Sequence, residues 1–269
     1  MKRSLTALAA ASLCAAVAPA TASAAIVELG ATSTPLVAPT CPPGVTPANC
    51  TIILTRVTAL ETLRDGAAYP TTIKQAGRIV AFTVGLSRLS SDRVTAHNDI
   101  HLLDSAYGGT TRVAITVLRP SGNKRLRHFK VVAASPAFHV QPYLGQVVQI
   151  PLTTSLAVLP GDVVALTTPT WAPVLSIDLA TKKFAYRQSR NTSCASPPSG
   201  NAAQGVGQTA TYGCNYPGTR VEYTATEITN PIAVNPIHAR DRGVARRARK
   251  ASGGRARRTV LHRSGGVGF

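Results

Sequence analysis

The sequence predicts an all-β protein: a two-sheet, jelly-roll-like β-sandwich with one short helix or crossing segment and disordered termini. Three observations predict this fold class. Short β-branched and apolar segments recur along the chain, turn sequences with Gly and Pro separate several of them, and no long amphipathic helix is present. Many short strands joined by frequent turns are typical of a sandwich.

The predicted strands follow one another between residues 51 and 229. In the second of them, Val80, Phe82 and Val84 are expected to share the face that packs into the core, because side chains alternate along a strand. The turn Leu159–Asp162 contains Pro and Gly, and its aspartate is expected to cap backbone amides. The predicted strands are Thr51–Leu60, Arg78–Leu86, Thr111–Leu118, Phe129–Ala133, Val147–Leu152, Ser155–Leu159, Val163–Thr167, Val174–Ile177, Lys183–Arg187, Thr209–Tyr212 and Arg220–Thr229.

One segment breaks the strand pattern. Between Asp92 and Tyr107, the apolar residues Ile100, Leu103 and Tyr107 recur at helical spacing, and the pair Gly108-Gly109 follows as a helix stop. The segment is predicted to be a short helix or an irregular crossing between strands.

Composition divides the chain into four segments. Lys2 and Arg3 precede a short apolar run, and Ala22-Ser23-Ala24 has the small-x-small pattern of a signal-peptidase site, so residues 1–24 are interpreted as a signal peptide. The apolar run is shorter than the about 20 residues of a membrane helix. We therefore expect a secreted, extracytoplasmic protein without a transmembrane segment. Residues 25–50 form a Pro/Thr-rich lead-in, residues 51–231 the sandwich domain, and residues 232–269 a basic tail that is predicted to be disordered.

Four cysteines remain after the predicted cleavage. In an oxidising compartment they most simply form two disulfides, for which three pairings exist. A zinc site is disfavoured because no CxxC motif is present. Because each pair is close in sequence, we predict Cys41–Cys50 and Cys194–Cys214.

Positive charge is concentrated at the C-terminal end. The chain has 29 Lys and Arg residues against 11 Asp and Glu residues. Such a charge favours anionic partners, and we expect an anionic envelope polymer or glycan rather than a dedicated nucleic-acid partner. Two basic clusters of the tail are the candidate anion-binding residues: Arg246, Arg247, Arg249, Lys250, Arg255, Arg257 and Arg258.

Three segments resemble those of uncharacterised secreted bacterial β-sandwich proteins. They are GQVVQIPL at residues 145–152, LPGDVVALTTPTWAP at 159–173 and TATYGCNY at 209–216. The resemblance covers roughly residues 51–231, which is single-domain in size. It implies the sandwich fold and export. It implies no activity and no site residue, because no activity is established for that group.

No catalytic or cofactor motif is present. The chain lacks GxSxG, HExxH, phosphate-loop and dinucleotide-binding patterns, so no resident cofactor and no catalytic residue are expected. We therefore expect an exported, non-catalytic sandwich that binds or displays a ligand at the cell envelope. The alternative is a secreted carbohydrate-active or other hydrolase with scattered catalytic residues, because a fold can bring distant carboxylates together.

A histidine cluster is the candidate metal site. His97, Asp99, His101 and Asp104 place two imidazoles and a carboxylate on one face of either a helix or a strand, a ligand set suited to zinc or copper. The competing interpretation is a solvated polar face, and it is favoured because such spacing alone is common.

Aromatic residues are the candidate ligand-binding side chains. Trp171 lies in the stiff segment PTWAP, where its ring could present a platform, and Tyr212 and Tyr216 could line a groove. For Trp171 we favour the competing interpretation that the ring fills the core, and the tyrosines are expected to pack near Cys214.

The basic tail is predicted to tether the protein to anionic envelope polymer. Full-length protein should be retained on isolated cell walls better than a chain that stops at Pro236. Retention should weaken steeply between low and physiological salt, because cationic contacts to a polyanion release counterions. Pull-down at a series of salt concentrations measures both effects. Equal retention of the two chains, or retention indifferent to salt, contradicts the tether.

Overall fold

Strands are the main element in the part of the chain described by the computed structural model, which comprises residues 23–45, 50–122, 127–191, 194 and 200–231. One helix, α1 (Arg93–Tyr107), and a 3-10 turn (Gln141–Tyr143) accompany them. The strands are β1 (Ile26–Leu29), β2 (Leu54–Arg64), β3 (Ala67–Ala68), β4 (Gly77–Gly85), β5 (Arg112–Pro120), β6 (His128–Ala134), β7 (Phe138–His139), β8 (Val147–Val158), β9 (Val163–Ala172), β10 (Leu175–Ser176), β11 (Ala185–Gln188), β12 (Thr209–Thr211), β13 (Cys214–Pro217), β14 (Arg220–Val221) and β15 (Tyr223–Thr229).

The strands in the described residues pair into two large antiparallel sheets and one small one. The four-stranded sheet has the order β1-β15-β4-β8. The larger sheet has the order β12-β6-β5-β9-β2-β11-β13, with β3 paired to β2 and β7 paired to β5, and it is curled into a half-barrel. Strands β10 and β14 form the small sheet. The prediction of a mostly β fold with one short helix is confirmed.

The main hydrophobic core collects side chains from both large sheets. Phe82 and Tyr223 come from the four-stranded sheet, and Ile115 and Leu166 come from the larger sheet. All four side chains are fully buried. Burial of this apolar surface is the main stabilising contribution to such a fold.

A second core lies on the opposite face of the larger sheet. Leu60 and Leu118 belong to it, whereas their neighbours Ala59 and Val117 belong to the main core. Adjacent residues of a strand face opposite sides of the sheet, so the curled sheet buries apolar side chains on both faces. Tyr212 also belongs to this second core.

A bulge shifts the predicted inward face of β4. Phe82 and Val84 are buried as expected, but Ile79 rather than Val80 enters the core. The pairing register of β4 with β8 changes between Ile79 and Ala81. Such an irregularity reverses the alternation of side chains, which a strict period of two does not anticipate.

The strands differ from the sequence prediction at several places, and the predicted strand Arg220–Thr229 is divided into β14 and β15. Val147–Leu152 and Ser155–Leu159, predicted as two strands, fall in the single strand β8, which ends at Val158 and has an irregularity in its pairing to β4. Strand β1 lies within the predicted lead-in, where it pairs with β15 at the edge of the four-stranded sheet. Its four residues, Ile-Val-Glu-Leu, show no alternation of apolar and polar side chains, and three of them are exposed. The position of β1 therefore depends on its pairing partner.

Residues Ala24–Asn230 form one compact unit. The predicted basic tail and residues 1–22 of the predicted signal peptide lie outside the described residues. No helix in the described part of the chain is long and apolar enough to cross a membrane.

The two disulfides are those predicted from spacing. Cys41 pairs with Cys50, with Cα atoms 5.6 Å apart, and Cys194 pairs with Cys214, with Cα atoms 5.5 Å apart. Disulfides are typical of an oxidising compartment.

Two ion pairs are buried beside the small sheet. Glu61 contacts the guanidinium of Arg64, and both side chains are fully buried. Arg220 Nε lies 3.3 Å from Glu222 Oε2, also out of solvent. Burial raises the pKa of Glu61 to about 7, although the nearby Arg64 charge opposes this rise.

These charges also bind the lead-in to the sheets. The guanidinium of Arg64 donates to the carbonyl of Gly30, and Nη1 of Arg220 donates to the carbonyl of Pro35 at 2.9 Å. The Val37 amide donates to the Glu222 carboxylate at 3.4 Å. The lead-in, expected to bury little, is therefore held by hydrogen bonds to buried charged groups.

Replacing Glu61 with glutamine is expected to reduce the pH dependence of stability. The folded pKa of Glu61, about 7, lies above its ordinary value of 4.5. Its contribution to the free energy of unfolding is therefore fully present below about pH 4.5 and is lost as the pH rises through about 7. A shift of this size corresponds to a loss of up to about 3 kcal/mol. Urea unfolding between pH 4.5 and 8 measures the slope.

Glu28→Gln is the matched control, because the Glu28 carboxylate accepts hydrogen bonds from Thr224 and Thr226 at the sheet edge. As the pH rises, the free energy of unfolding of the control should fall as steeply as that of the wild type. The free energy of unfolding of Glu61→Gln should fall less. A Glu61→Gln protein that declines as steeply as the wild type contradicts the assignment.

Candidate functional site

Three cavities that share lining residues lie beside the segment that joins β4 to α1, and together they are here called the α1 groove. A cavity of about 390 Å³ is lined by Ala38–Cys41, residues 87–91 and Gly145. It shares Arg88, Ser90 and Ser91 with a cavity of about 400 Å³. It shares Cys41 and Leu89 with a third cavity of about 230 Å³.

The two ends of the α1 groove differ in chemistry. The 400 Å³ cavity is lined by Arg88, Arg93, His97 and two serine hydroxyls, together with Ala96 and Ile100. The 230 Å³ cavity is mainly apolar, with Ile52, Leu102 and Leu103 among its lining residues. Asp99, in the apolar cavity, is the only carboxylate among the described lining residues.

Backbone contacts fix the segment that carries Arg88. The Ser87 amide donates to Pro173 O at 2.8 Å, and the Leu89 amide donates to Ser87 Oγ at 3.1 Å. Gly145 has a φ of +87°, and a Cβ at this position would lie 3.3 Å from Arg88 Nε. Its left-handed backbone and its missing side chain therefore allow the chain to pass close to Arg88.

Both ends of α1 are capped, and the C-terminal glycine stop is the one that the sequence predicts. Asp92 accepts a hydrogen bond from the Thr95 amide at 2.8 Å, and Gly108 ends the helix with a φ of 82°. Arg56 of β2 donates to the carbonyl of Tyr107 at 3.2 Å, and its positive charge lies at the negative end of the helix dipole.

Asp104 anchors α1 to the larger sheet. Its carboxylate accepts a hydrogen bond from Trp171 Nε1 at 2.9 Å and another from Gln141 Nε2 at 3.3 Å. Trp171 is fully buried, whereas α1 has no fully buried residue. The helix is therefore held in place largely by polar contacts.

The four predicted metal ligands are only partly brought together. His97 and His101 are adjacent, with their Nε2 atoms 3.1 Å apart. Asp104 is engaged by Trp171, and Asp99 lines the apolar cavity. No group of three or more His, Cys, Asp or Glu side chains able to hold a metal is found among the residues that the structure describes.

Burial excludes a ligand-binding surface at two of the candidate aromatic residues, in line with the favoured interpretation that Trp171 fills the core. Trp171 and Tyr212 are fully buried, so neither presents a ring face to solvent. Tyr212 packs edge-to-face on Phe129, with ring centroids 5.3 Å apart. Tyr216 is half-buried and stacks on Tyr186 at 4.8 Å. The aromatic rings serve packing because two cores, one on each face of the larger sheet, need large apolar side chains.

Sequence analysis did not identify the cationic side chains of the groove. Arg88 and Arg93 flank a Ser-rich turn immediately before a predicted helix, and this local pattern was the available signal. The predicted anion-binding residues of the tail lie outside the described residues.

Comparison with known proteins gives no match: no protein-family model, no curated protein and no solved structure matches this chain. The resemblance to secreted bacterial sandwich proteins therefore stays a prediction, and the functional argument depends on the geometry of the site.

Substitution of Asp104 by alanine is expected to loosen α1. The buried Trp171 Nε1–H would lose its acceptor, which should lower the free energy of unfolding by about 1–3 kcal/mol. Amide hydrogen exchange within α1 should accelerate beyond this global effect. Asp99→Ala, on the same helix, is the control. Equal losses in the two variants contradict an anchoring role for Asp104.

Proposed function

We propose that the protein is an exported, non-catalytic binding protein whose α1 groove holds anionic groups of a cell-envelope polymer or glycan. The observation that carries the proposal is the composition of the 400 Å³ cavity. Two arginines, one histidine and two serines line it, and none of its described lining residues is a carboxylate. The charge of the two arginines therefore favours a negatively charged ligand.

Arginine suits this role by its shape as well as its charge. Its planar guanidinium can donate two parallel hydrogen bonds to a phosphate or a carboxylate. The serine hydroxyls offer further donors with adjustable direction. Because the three cavities are contiguous, an extended chain can place its anionic groups against Arg88 and Arg93 and a less polar part against Leu102 and Leu103.

The scaffold in this proposal is a two-sheet sandwich that works outside the cytoplasm. The shared core of the two large sheets supports the sandwich arrangement. The two disulfides and the signal-like N-terminal sequence support export. The basic tail adds a second cationic segment, which an anionic polymer would attract electrostatically.

A secreted hydrolase is the alternative function. Hydrolysis of glycosidic bonds generally needs two carboxyl groups about 5–10 Å apart. The described lining of the α1 groove supplies only Asp99, at the apolar end. This composition favours binding over hydrolysis at the groove.

Loss of the two groove arginines is expected to weaken polyanion binding. Full-length protein should bind long-chain polyphosphate or polygalacturonate, and Arg88→Ala/Arg93→Ala should bind it at least about tenfold more weakly, because each charged hydrogen bond contributes about 1.5–3 kcal/mol. Calorimetry at physiological salt gives the affinities. The two polymers distinguish phosphate from carboxylate as the preferred group.

Lys74→Ala/Lys182→Ala removes the same charge elsewhere and is the matched control. Both lysines are exposed, and neither is among the described residues that line the groove. Equal losses in the two double variants contradict a specific groove. Release of phosphate or reducing ends from either polymer favours the hydrolase.

A further inference from the structure

The two histidines of α1 form a close imidazole pair on an exposed helix surface. His97 and His101 lie one turn apart, and their Nε2 atoms are separated by 3.1 Å. The rings are nearly perpendicular, at 84°, with centroids 4.4 Å apart. Both residues are exposed, so an ion and its water ligands can reach them from solvent.

This separation fits two bonds to a single metal ion. Imidazole nitrogens bind first-row ions at about 2.0–2.1 Å. Two such bonds at a right angle place the nitrogens about 2.9 Å apart, and a tetrahedral angle places them about 3.4 Å apart. The observed 3.1 Å lies between these values. Without metal, the same contact requires one nitrogen to carry a proton and the other to accept it.

We propose that His97 and His101 chelate a divalent late transition-metal ion, foremost Cu²⁺, through their Nε2 atoms. The ion replaces the shared proton, which passes to solvent, and water completes the coordination. Nitrogen ligands at a near-right angle suit tetragonal Cu²⁺, which also binds such ligands more tightly than its divalent neighbours do. The site does not depend on the proposed polymer binding, although His97 also lines the groove.

Neighbouring groups define the site as a two-residue chelate. Asp104 is committed to Trp171 and Gln141, and Asp99 lines the apolar cavity. Arg93, one turn before His97, brings positive charge close to the bound cation. This repulsion weakens the binding of every divalent ion equally, so the site needs an ion that forms strong bonds to imidazole.

The test is calorimetric titration of the full chain with copper(II) chloride in a non-chelating buffer. Wild-type protein should bind one Cu²⁺ at this site, with two nitrogen ligands visible in the electron paramagnetic resonance spectrum. His97→Ala and His101→Ala should each weaken binding by about 100-fold, because each removes one arm of a bivalent site. Far-ultraviolet circular dichroism should show that the variants remain folded.

Two control variants separate chelation from general histidine binding. His139→Ala removes an exposed histidine elsewhere and should leave the affinity unchanged. The double change His101→Ala/Leu102→His keeps the number of histidines but moves one of them to another side of the helix. Leu102 is 68% exposed, so a histidine fits there. This variant should bind Cu²⁺ as weakly as His101→Ala. Absence of the wild-type site overturns the proposal, as does unchanged affinity in His97→Ala/His101→Ala. Full affinity in the moved-histidine variant also overturns it.

Discussion

The buried contact between Glu61 and Arg64 is the constraint on which the surrounding structure depends. The two residues are three positions apart on β2, and a regular strand would direct them to opposite faces. The pairing of β2 with β11 is irregular and skips Thr62, which has no pairing partner in β11. This irregularity brings Glu61 and Arg64 to the same side of the sheet. Removing either partner of such a pair typically costs about 3–5 kcal/mol, because the other charge stays buried alone. Arg64 also donates to the carbonyls of Val221 and Tyr223, at 2.9 and 2.8 Å, so its charge holds the strands around it as well as Glu61.

The wall of the α1 groove depends on Glu222, which belongs to the neighbouring buried pair with Arg220. Glu222 accepts from the amide of Val37, and the Cys41–Cys50 disulfide fixes the chain four residues later. The segment Ala38–Cys41, which lines the groove, is thus held at both ends. Gly85 is required for this arrangement, because a Cβ there would lie 1.9 Å from Val37 O. A substitution at Gly85 would therefore displace the groove wall even though Gly85 does not line the groove.

Sequence signals from neighbouring residues were sufficient to predict some elements of the structure and insufficient to predict others. The segment of α1 could be predicted as a short helix or a crossing because its terminal glycine directly follows the apolar residues that recur at helical spacing. Strand β1 and the inward turn of Ile79 could not, since both depend on pairing with distant strands. The α1 groove could not be predicted either, because it joins residues near positions 40, 90 and 145. The histidine spacing was visible in the sequence, but the separation of their nitrogens required the helix.

The use of carboxylates is the physical basis for proposing binding rather than catalysis. The chain has only 11 Asp and Glu residues, and at least seven of them accept hydrogen bonds that hold the structure together. Asp162 shows the pattern, since it pairs with Arg119 and also caps the Leu159 amide, as predicted for this turn. The other six are Glu28, Glu61, Asp65, Asp92, Asp104 and Glu222. Carboxylates engaged in this way are poorly placed to act as acid and base. Among the described residues that line the cavity of Arg88 and Arg93, no carboxylate is present, and this composition is the basis for proposing that the two arginines attract an anionic ligand.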